Sequence, residues 1–155
     1  MESQKEAIIF IGIQGSGKRW YYNHFLANEY VHINLDTLHT RNKERLLLAQ
    51  CIADGKNIAI DNTNPTKADR QRYIPMLREA GYRITGYFFE SRVKDCIRRN
   101  EKRTGKAQVP NMVIAATSNK LELPSLAEGF DDLYFIARKN ETRMVKEEWR
   151  ETNEL

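Results

Sequence analysis

The chain has 155 residues, 41% of them hydrophobic and 30% charged, with a net charge of +4. That length supports one domain with a real core, residues 1–155, and not comfortably two; the longest apolar runs are far too short to cross a bilayer. The charge is local, because residues 90–108 hold seven bases against three acids and so equal the whole net charge, while 138–155 hold five of each; the field is aimed at something anionic and is not a general coating for nucleic acid.

The stretch from Met1 to Glu6 contains no apolar signal core, and a cytoplasmic location is the expectation. Residues 6–11 read as a strand apolar on both faces, as in the middle of a parallel sheet. A glycine-rich turn follows, and then a helical pattern from Lys18 to about Asn28, with Tyr21 and Phe25, and Tyr22 and Leu26, four apart. Trp20, Tyr21 and Tyr22 are consecutive, so one of them must leave the core face. Residues 30–35 form a second strand that ends at Asp36. A helix over 40–54 turns Leu47, Leu48, Cys51 and Ile52 to one side and stops at Asp54-Gly55.

Asn57 to Ile60 is a third buried strand, ending in the polar loop Asp61-Asn62-Thr63-Asn64-Pro65-Thr66. A helix over 67–80 follows, with a kink or break expected at Pro75 and Gly81 as its stop. Residues 82–89 are a fourth strand. The basic helix from Arg92 and the loop to Pro110 make a candidate lid, about 92–110. A helix over 111–121, a fifth strand over 133–137 and a charged helix over about 141–152, with Met144, Val145 and Trp149 on one side, complete the chain. Cys51 and Cys96 have no Cys or His partner at metal spacing and read as buried free thiols. Strands alternating with helices predict an α/β three-layer sandwich around a five-stranded parallel sheet. Ligands then sit outside the carboxyl ends of the strands, where the first loop, Asp36 and Asp61–Asn64 converge.

The first loop, Gly12-Ile13-Gln14-Gly15-Ser16-Gly17-Lys18, has the spacing of a phosphate-binding P-loop between a strand and a helix. Its glycines allow positive φ and close approach of phosphate oxygens, and Lys18 adds a charge for the β/γ-phosphates. Gly12, Gln14, Gly15, Ser16, Gly17, Lys18 and Arg19 are therefore the candidate ATP-binding residues. Arg19 stands where a Ser or Thr ordinarily holds Mg²⁺, and arginine has no acceptor for a metal. Asp36 is placed to be a general base for an acceptor hydroxyl or simply a helix cap. Asp61 is a carboxylate near the metal, a group that orients another side chain, or a cap, and Asn62 and Asn64 either orient Asp36 or the acceptor or form an Asx turn. Arg99 and Arg103, four apart on one helical face, suit a migrating phosphoryl group or a solvated face. His39 and Arg41 are candidates to grip the acceptor; His24 and His32 read as structural.

With Ile33-Asn34-Leu35-Asp36, Asp61-Asn62-Thr63-Asn64-Pro65 and Arg99-Asn100-Glu101-Lys102-Arg103-Thr104-Gly105-Lys106 beside the glycine loop, the chain resembles the P-loop kinases that include the kinase domain of polynucleotide kinases. The resemblance spans about residues 6–137. It implies a P-loop NTPase fold of the nucleoside-kinase-like type and transfer of the γ-phosphate of ATP, with Mg²⁺, to a hydroxyl, often a nucleic-acid 5′-OH. It also implies Asp36 as base, Lys18 on the β/γ-phosphates, and Arg99 and Arg103 as lid arginines. The family usually has Arg three residues after the base; here that residue is His39, with Arg41 two further on. Two other readings stand beside this one: a nucleotide-binding module without turnover, motivated by Arg19, and a small-molecule kinase of the gluconate or shikimate sort on the same fold.

Overall fold

The computed structural model describes residues 4–105 and 108–150; Lys106 of the basic cluster, and both chain ends, lie outside the described residues. Along β1 (Glu6–Ile11) the side chains alternate. Ala7, Ile9 and Ile11 enter one core, and Ile8 and Phe10 the other. This is the period-two geometry of a strand buried on both faces. β1 pairs in parallel with β3 (Ile58–Ile60) and β4 (Arg83–Phe89), and β2 (Val31–Ile33) extends the sheet beyond β3. β5 (Asp132–Asn140) adds in parallel to β4, giving the order β2-β3-β1-β4-β5-β6.

The sixth strand overturns one expectation. Residues expected as a charged C-terminal helix over 141–152 instead form β6 (Arg143–Glu148), antiparallel to β5. The sheet is therefore six-stranded and mixed. The physical reason is local: the Asn140 side chain accepts from the N–H and hydroxyl of Thr142, at 2.9 and 3.1 Å, which makes a turn that returns the chain along β5. Met144 then packs on one face with Phe10 and Tyr87, while Trp149 meets Phe88 on the other, ring centroids 5.5 Å apart. Lys146 lies 4.6 Å from the centre of the Tyr134 ring, a cation–π contact.

Two helical layers cover the sheet. On one face lie α3 (Arg41–Ala53), α5 (Ile74–Glu79), α6 (Val93–Glu101) and α7 (Asn111–Lys120), which contribute Leu48, Cys51, Leu77, Cys96 and Ile114. Both cysteines are buried and free, as expected. On the other lies the helix after the glycine loop. It starts as α1 (Lys18–Tyr21) and widens into a π-helical segment, Tyr22–Leu26. The three consecutive aromatics divide accordingly: Tyr21 and Tyr22 are buried, and Trp20 sits at the margin, stacked on His24 at 3.9 Å. The helix expected over 67–80 is broken into α4 (Lys67–Gln71) and α5, with Pro75 in the first turn of α5, where its missing N–H costs nothing. No helix among the described residues is long and apolar enough to cross a membrane.

Candidate active site

The glycine loop leaves β1 at the carboxyl edge of the sheet. Gly15 has φ 81° and Gly17 φ 98°, which explains glycine at both places. A Cβ on Gly15 would lie 2.6 Å from the carbonyl oxygen of Cys96. The loop is tied on three sides. Gly12 N–H donates to the Thr63 carbonyl at 3.0 Å, Ile13 N–H to Ser91 Oγ at 3.2 Å, and Arg99 Nε to the Gly15 carbonyl at 2.6 Å. Lys18 Nζ donates to the carbonyls of Gly12 and Ile13, both at 3.0 Å. The Ser16 hydroxyl is buried with no partner. Positive-φ glycines, a lysine folded onto the loop and a buried hydroxyl awaiting a partner fit the phosphates of a nucleotide.

Lys18 is the electrostatic meeting point. Burial pushes its ammonium below its ordinary pKa; Asp61 and Cys96 pull it up, Arg103 pushes it down and Asp36 pulls it up. Asp61, Asp36 and Arg103 are thus close enough for their charges to act on the same amine, while Arg99 holds the loop itself. Hydrogen bonds join the three segments expected at the rim: Gly12 to Thr63, and Asn34 and Leu35 to Asp61 and Asn62.

Asp36 lies in a one-turn helix, α2 (Leu35–Leu38), and its side chain is exposed. It is not the cap of that helix. Asn34 is, with Oδ1 accepting from the Thr37 N–H at 3.2 Å. Helix α2 is anchored by the next loop: the Asn34 amide donates to the Asp61 carbonyl, and Leu35 N–H donates to Asn62 Oδ1 at 2.9 Å. Asn62 Nδ2 in turn donates to the buried carboxylate of Glu44 at 2.9 Å. Asn62 therefore positions the Asp36 helix through the backbone. Asn64, at φ 44°, donates to the Phe10 carbonyl at 2.8 Å and is buried; its amide joins the loop to β1 and is turned away from any acceptor.

The other candidates at the rim have different surroundings. Arg41, expected to grip an acceptor, has Nη1 2.9 Å from both Glu44 Oε1 and the Tyr73 hydroxyl; the buried Glu44 charge claims it. His39 is exposed and ends α2 at φ 72°, so it remains available at the rim. Asp61 is buried, with Oδ2 2.7 Å from His32 Nε2, and His32 stacks on Tyr22 at 4.3 Å. The metal position is altered too. The Arg19 guanidinium leaves the loop and donates to Asn34 Oδ1 at 2.7 Å, with Thr37 Oγ1 at 3.4 Å. Among the described residues no three His, Cys, Asp or Glu side chains gather to hold a cation. With no hydroxyl after Lys18 and one Asp61 oxygen engaged, these residues do not fit the Mg²⁺ position the motif ordinarily builds.

Some site residues were not singled out from sequence. Ser91 fastens the loop to the end of β4. Thr117 receives Gln14 Nε2 at 3.2 Å. Arg70, fully buried, binds the carbonyls of Asn64 and Pro65 and the carboxylate of Glu128. Arg138 lies against Gly17. Arg138 was findable, because it directly follows the apolar run of β5, at a strand's carboxyl end.

Comparison with known proteins agrees with this architecture. A family model described as an AAA domain matches residues 8–124. The bifunctional polynucleotide phosphatase/kinase of Schizosaccharomyces pombe is 24% identical over 133 residues, 83% of this chain and 33% of that protein. A protein of Acanthamoeba polyphaga mimivirus, given the same designation provisionally, is 40% identical over 80 residues, 51% of this chain and 19% of its own length. The chain thus spans a third or less of these relatives. Among solved structures, a chain of the Pnkp1/Rnl/Hen1 RNA repair complex superposes with a TM-score of 0.66 at 22% identity, covering 98% of this chain and 51% of that one, which speaks for the fold alone. With a P-loop on the first strand and the family model covering most of the domain, the chain belongs to the AAA-domain family of P-loop proteins and is polynucleotide-kinase-like.

Proposed function

We propose that this domain transfers the γ-phosphoryl group of ATP to a hydroxyl, and that the acceptor is the 5′-OH of a nucleic acid. The observation that carries the reading is the glycine loop with Lys18 folded onto it and Arg99 bound to its Gly15 carbonyl, tied through Gly12–Thr63 and Asn34–Asp61 hydrogen bonds to the segments that hold Asp61 and Asp36. The polynucleotide kinase relatives favour a nucleic-acid acceptor over a small alcohol.

Each residue has a defined task on this reading. The loop and Lys18 hold the phosphates, and Lys18 exchanges two carbonyl partners for phosphate oxygens. Asp36, exposed at the rim, accepts the proton of the acceptor hydroxyl as its oxygen attacks the γ-phosphorus in line. The bond to the β-phosphate oxygen breaks, and ADP leaves with that electron pair. Arg99 and Arg103 stabilise the charge spread over the migrating group. Asp61, held by His32, opposes the burial that lowers the Lys18 pKa.

The test is transfer of labelled γ-phosphate to DNA and RNA oligonucleotides with free 5′-OH ends. The controls are 5′-phosphorylated oligonucleotides and a panel of small polyols. Product on free 5′ ends alone is expected. Measurable ATP binding with no labelled product on any acceptor refutes the catalytic reading, and product confined to the polyols refutes the nucleic-acid acceptor.

A further inference from the structure

Arg138 is a cation in an uncomfortable position. It stands at the carboxyl end of β5, and its guanidinium reaches the glycine loop: a Cβ on Gly17 would collide with Nη2 of Arg138. Nη1 is 3.3 Å from the carbonyls of Asn140 and Glu141, and Nη2 lies 3.7 Å from the Met144 sulfur. Nε is buried with no partner. Among the described residues no carboxylate forms an ion pair with it. Glu90, just past the end of the neighbouring strand β4, spends Oε2 on the Arg138 backbone N–H and Oε1 on Arg92.

Its neighbour has the same sign. Burial, and after it Arg99, hold the Arg138 guanidinium below its ordinary value, against a weaker pull from Glu141. A cavity of about 190 Å³ opens between α6 and the β5–β6 turn; Arg92, Arg98, Arg99, Arg138 and Lys139 line it together with Glu90, Asp95 and Glu141, of which Glu90 and Asp95 pair with Arg92 and Arg98. Two guanidinium groups brought together beside an anion-binding loop, one with an unsatisfied N–H, disfavour the ligand-free state. An anion placed between them reverses that cost.

We propose that Arg138 is a nucleotide-binding residue that grips the donor's α- and β-phosphates from the Gly17 side of the loop, facing Arg99. This rests on the reading that the loop holds a nucleoside triphosphate. The division of labour follows from position: Lys18 serves the β/γ end, while the loop amides cradle the α/β-phosphates. Phosphate is favoured over the base, because the unsatisfied group is charged and its neighbour is a like charge. Arg138 thus adds a fixed charge from the strand layer, opposite the arginines of α6.

The experiment measures affinity for ADP and for inorganic tripolyphosphate by calorimetry in wild type, Arg138→Met and Arg138→Lys, with thermal midpoints of the ligand-free proteins. Arg138→Met is expected to weaken both ligands about tenfold or more, the loss of a charge-assisted pair of N–H contacts. Arg138→Lys is expected to recover part of that, and the ligand-free midpoint of Arg138→Met to hold or rise. Equal affinities in all three proteins overturn the proposal, as does a loss for ADP without a loss for tripolyphosphate. Should Arg138→Met fail to fold, Arg138→Lys decides alone: an unchanged affinity for both ligands overturns the proposal. A wild type that binds neither ligand refutes the nucleotide reading itself, which is a different outcome from a binding wild type with indifferent variants.

Discussion

Removing Arg70 should loosen the rim that carries the glycine loop from below. Arg70 is fully buried, with Nε and Nη2 at 2.8 and 3.3 Å from the two oxygens of Glu128, and Nη1 at 3.0 and 3.3 Å from the carbonyls of Asn64 and Pro65. Arg70→Met keeps the aliphatic stem and removes the charge. It strands the Glu128 carboxylate, whose side chain is 6% exposed, and leaves two carbonyls short of a donor. Breaking one side of a buried pair costs about 3–5 kcal/mol. At roughly 2–4 °C per kcal/mol for a chain of this size, the midpoint falls by about 6–20 °C. The assay is urea and thermal unfolding of wild type, Arg70→Met, Glu128→Gln and the double variant. Because each single change exposes the cost of the other partner, the double variant should lose less than the sum, with a coupling of about 2–3 kcal/mol. A loss under about 1 kcal/mol for Arg70→Met, or an additive cycle, refutes the argument. The loop it holds supplies the Thr63 carbonyl to Gly12, so nucleotide affinity should fall with stability.

Three further outcomes follow from the site. Asp36→Asn should lower the transfer rate by about 10²–10⁴-fold, the range for loss of a general base, with ATP affinity held; equal loss of both would mean Asp36 shapes the fold. Lys18→Met should abolish nucleotide binding yet stabilise the ligand-free protein by about 0.5–2 kcal/mol, as removal of a strained functional group does. The sign is checkable by pH: with its folded pKa below the ordinary 10.5, wild type takes up fewer protons than the unfolded chain in that interval. Its stability should therefore climb with pH toward 10.5, and Lys18→Met should lack that rise. Arg19→Ala should raise the acceptor KM about fivefold, by loss of roughly 1 kcal/mol of hydrogen bonding to Asn34, with ADP affinity unchanged on calorimetry. A change confined to ADP affinity would put the guanidinium on the phosphates.

The parts of this fold legible in sequence are those where one physical period dominates. β1 alternates cleanly between two cores, and the glycine loop needs positive φ where it has glycine. The last strand was read as a helix because Met144, Val145 and Trp149 satisfy helical spacing. Period two instead puts Val145 and Trp149 on one face and Met144 on the other, and the Asn140 turn decides for the strand. Roles in the polar rim were harder to read. Arg41 is a candidate to grip an acceptor and Asn62 to orient Asp36 or the acceptor, yet the charge of Glu44, buried next to Tyr73, draws both inward. No local pattern announces that a glutamate on α3 is buried; it follows from the tertiary approach of Tyr73. The π-helical widening at Tyr22–Leu26 is likewise a tertiary compromise, letting Tyr21 and Tyr22 both enter the core.

The bridge from Arg19 to Asn34 has a consequence for how the two substrates communicate. One end of the bridge starts the helix behind the donor cradle, and the other caps the turn that presents Asp36. Where the motif ordinarily has a hydroxyl for a cation, here a side-chain hydrogen bond spans the gap. Occupancy of either half then biases the other by linkage, and the reciprocal effect must be equal in size. An oligonucleotide that tightens ADP binding in wild type should lose that influence once the arm is cut back to alanine.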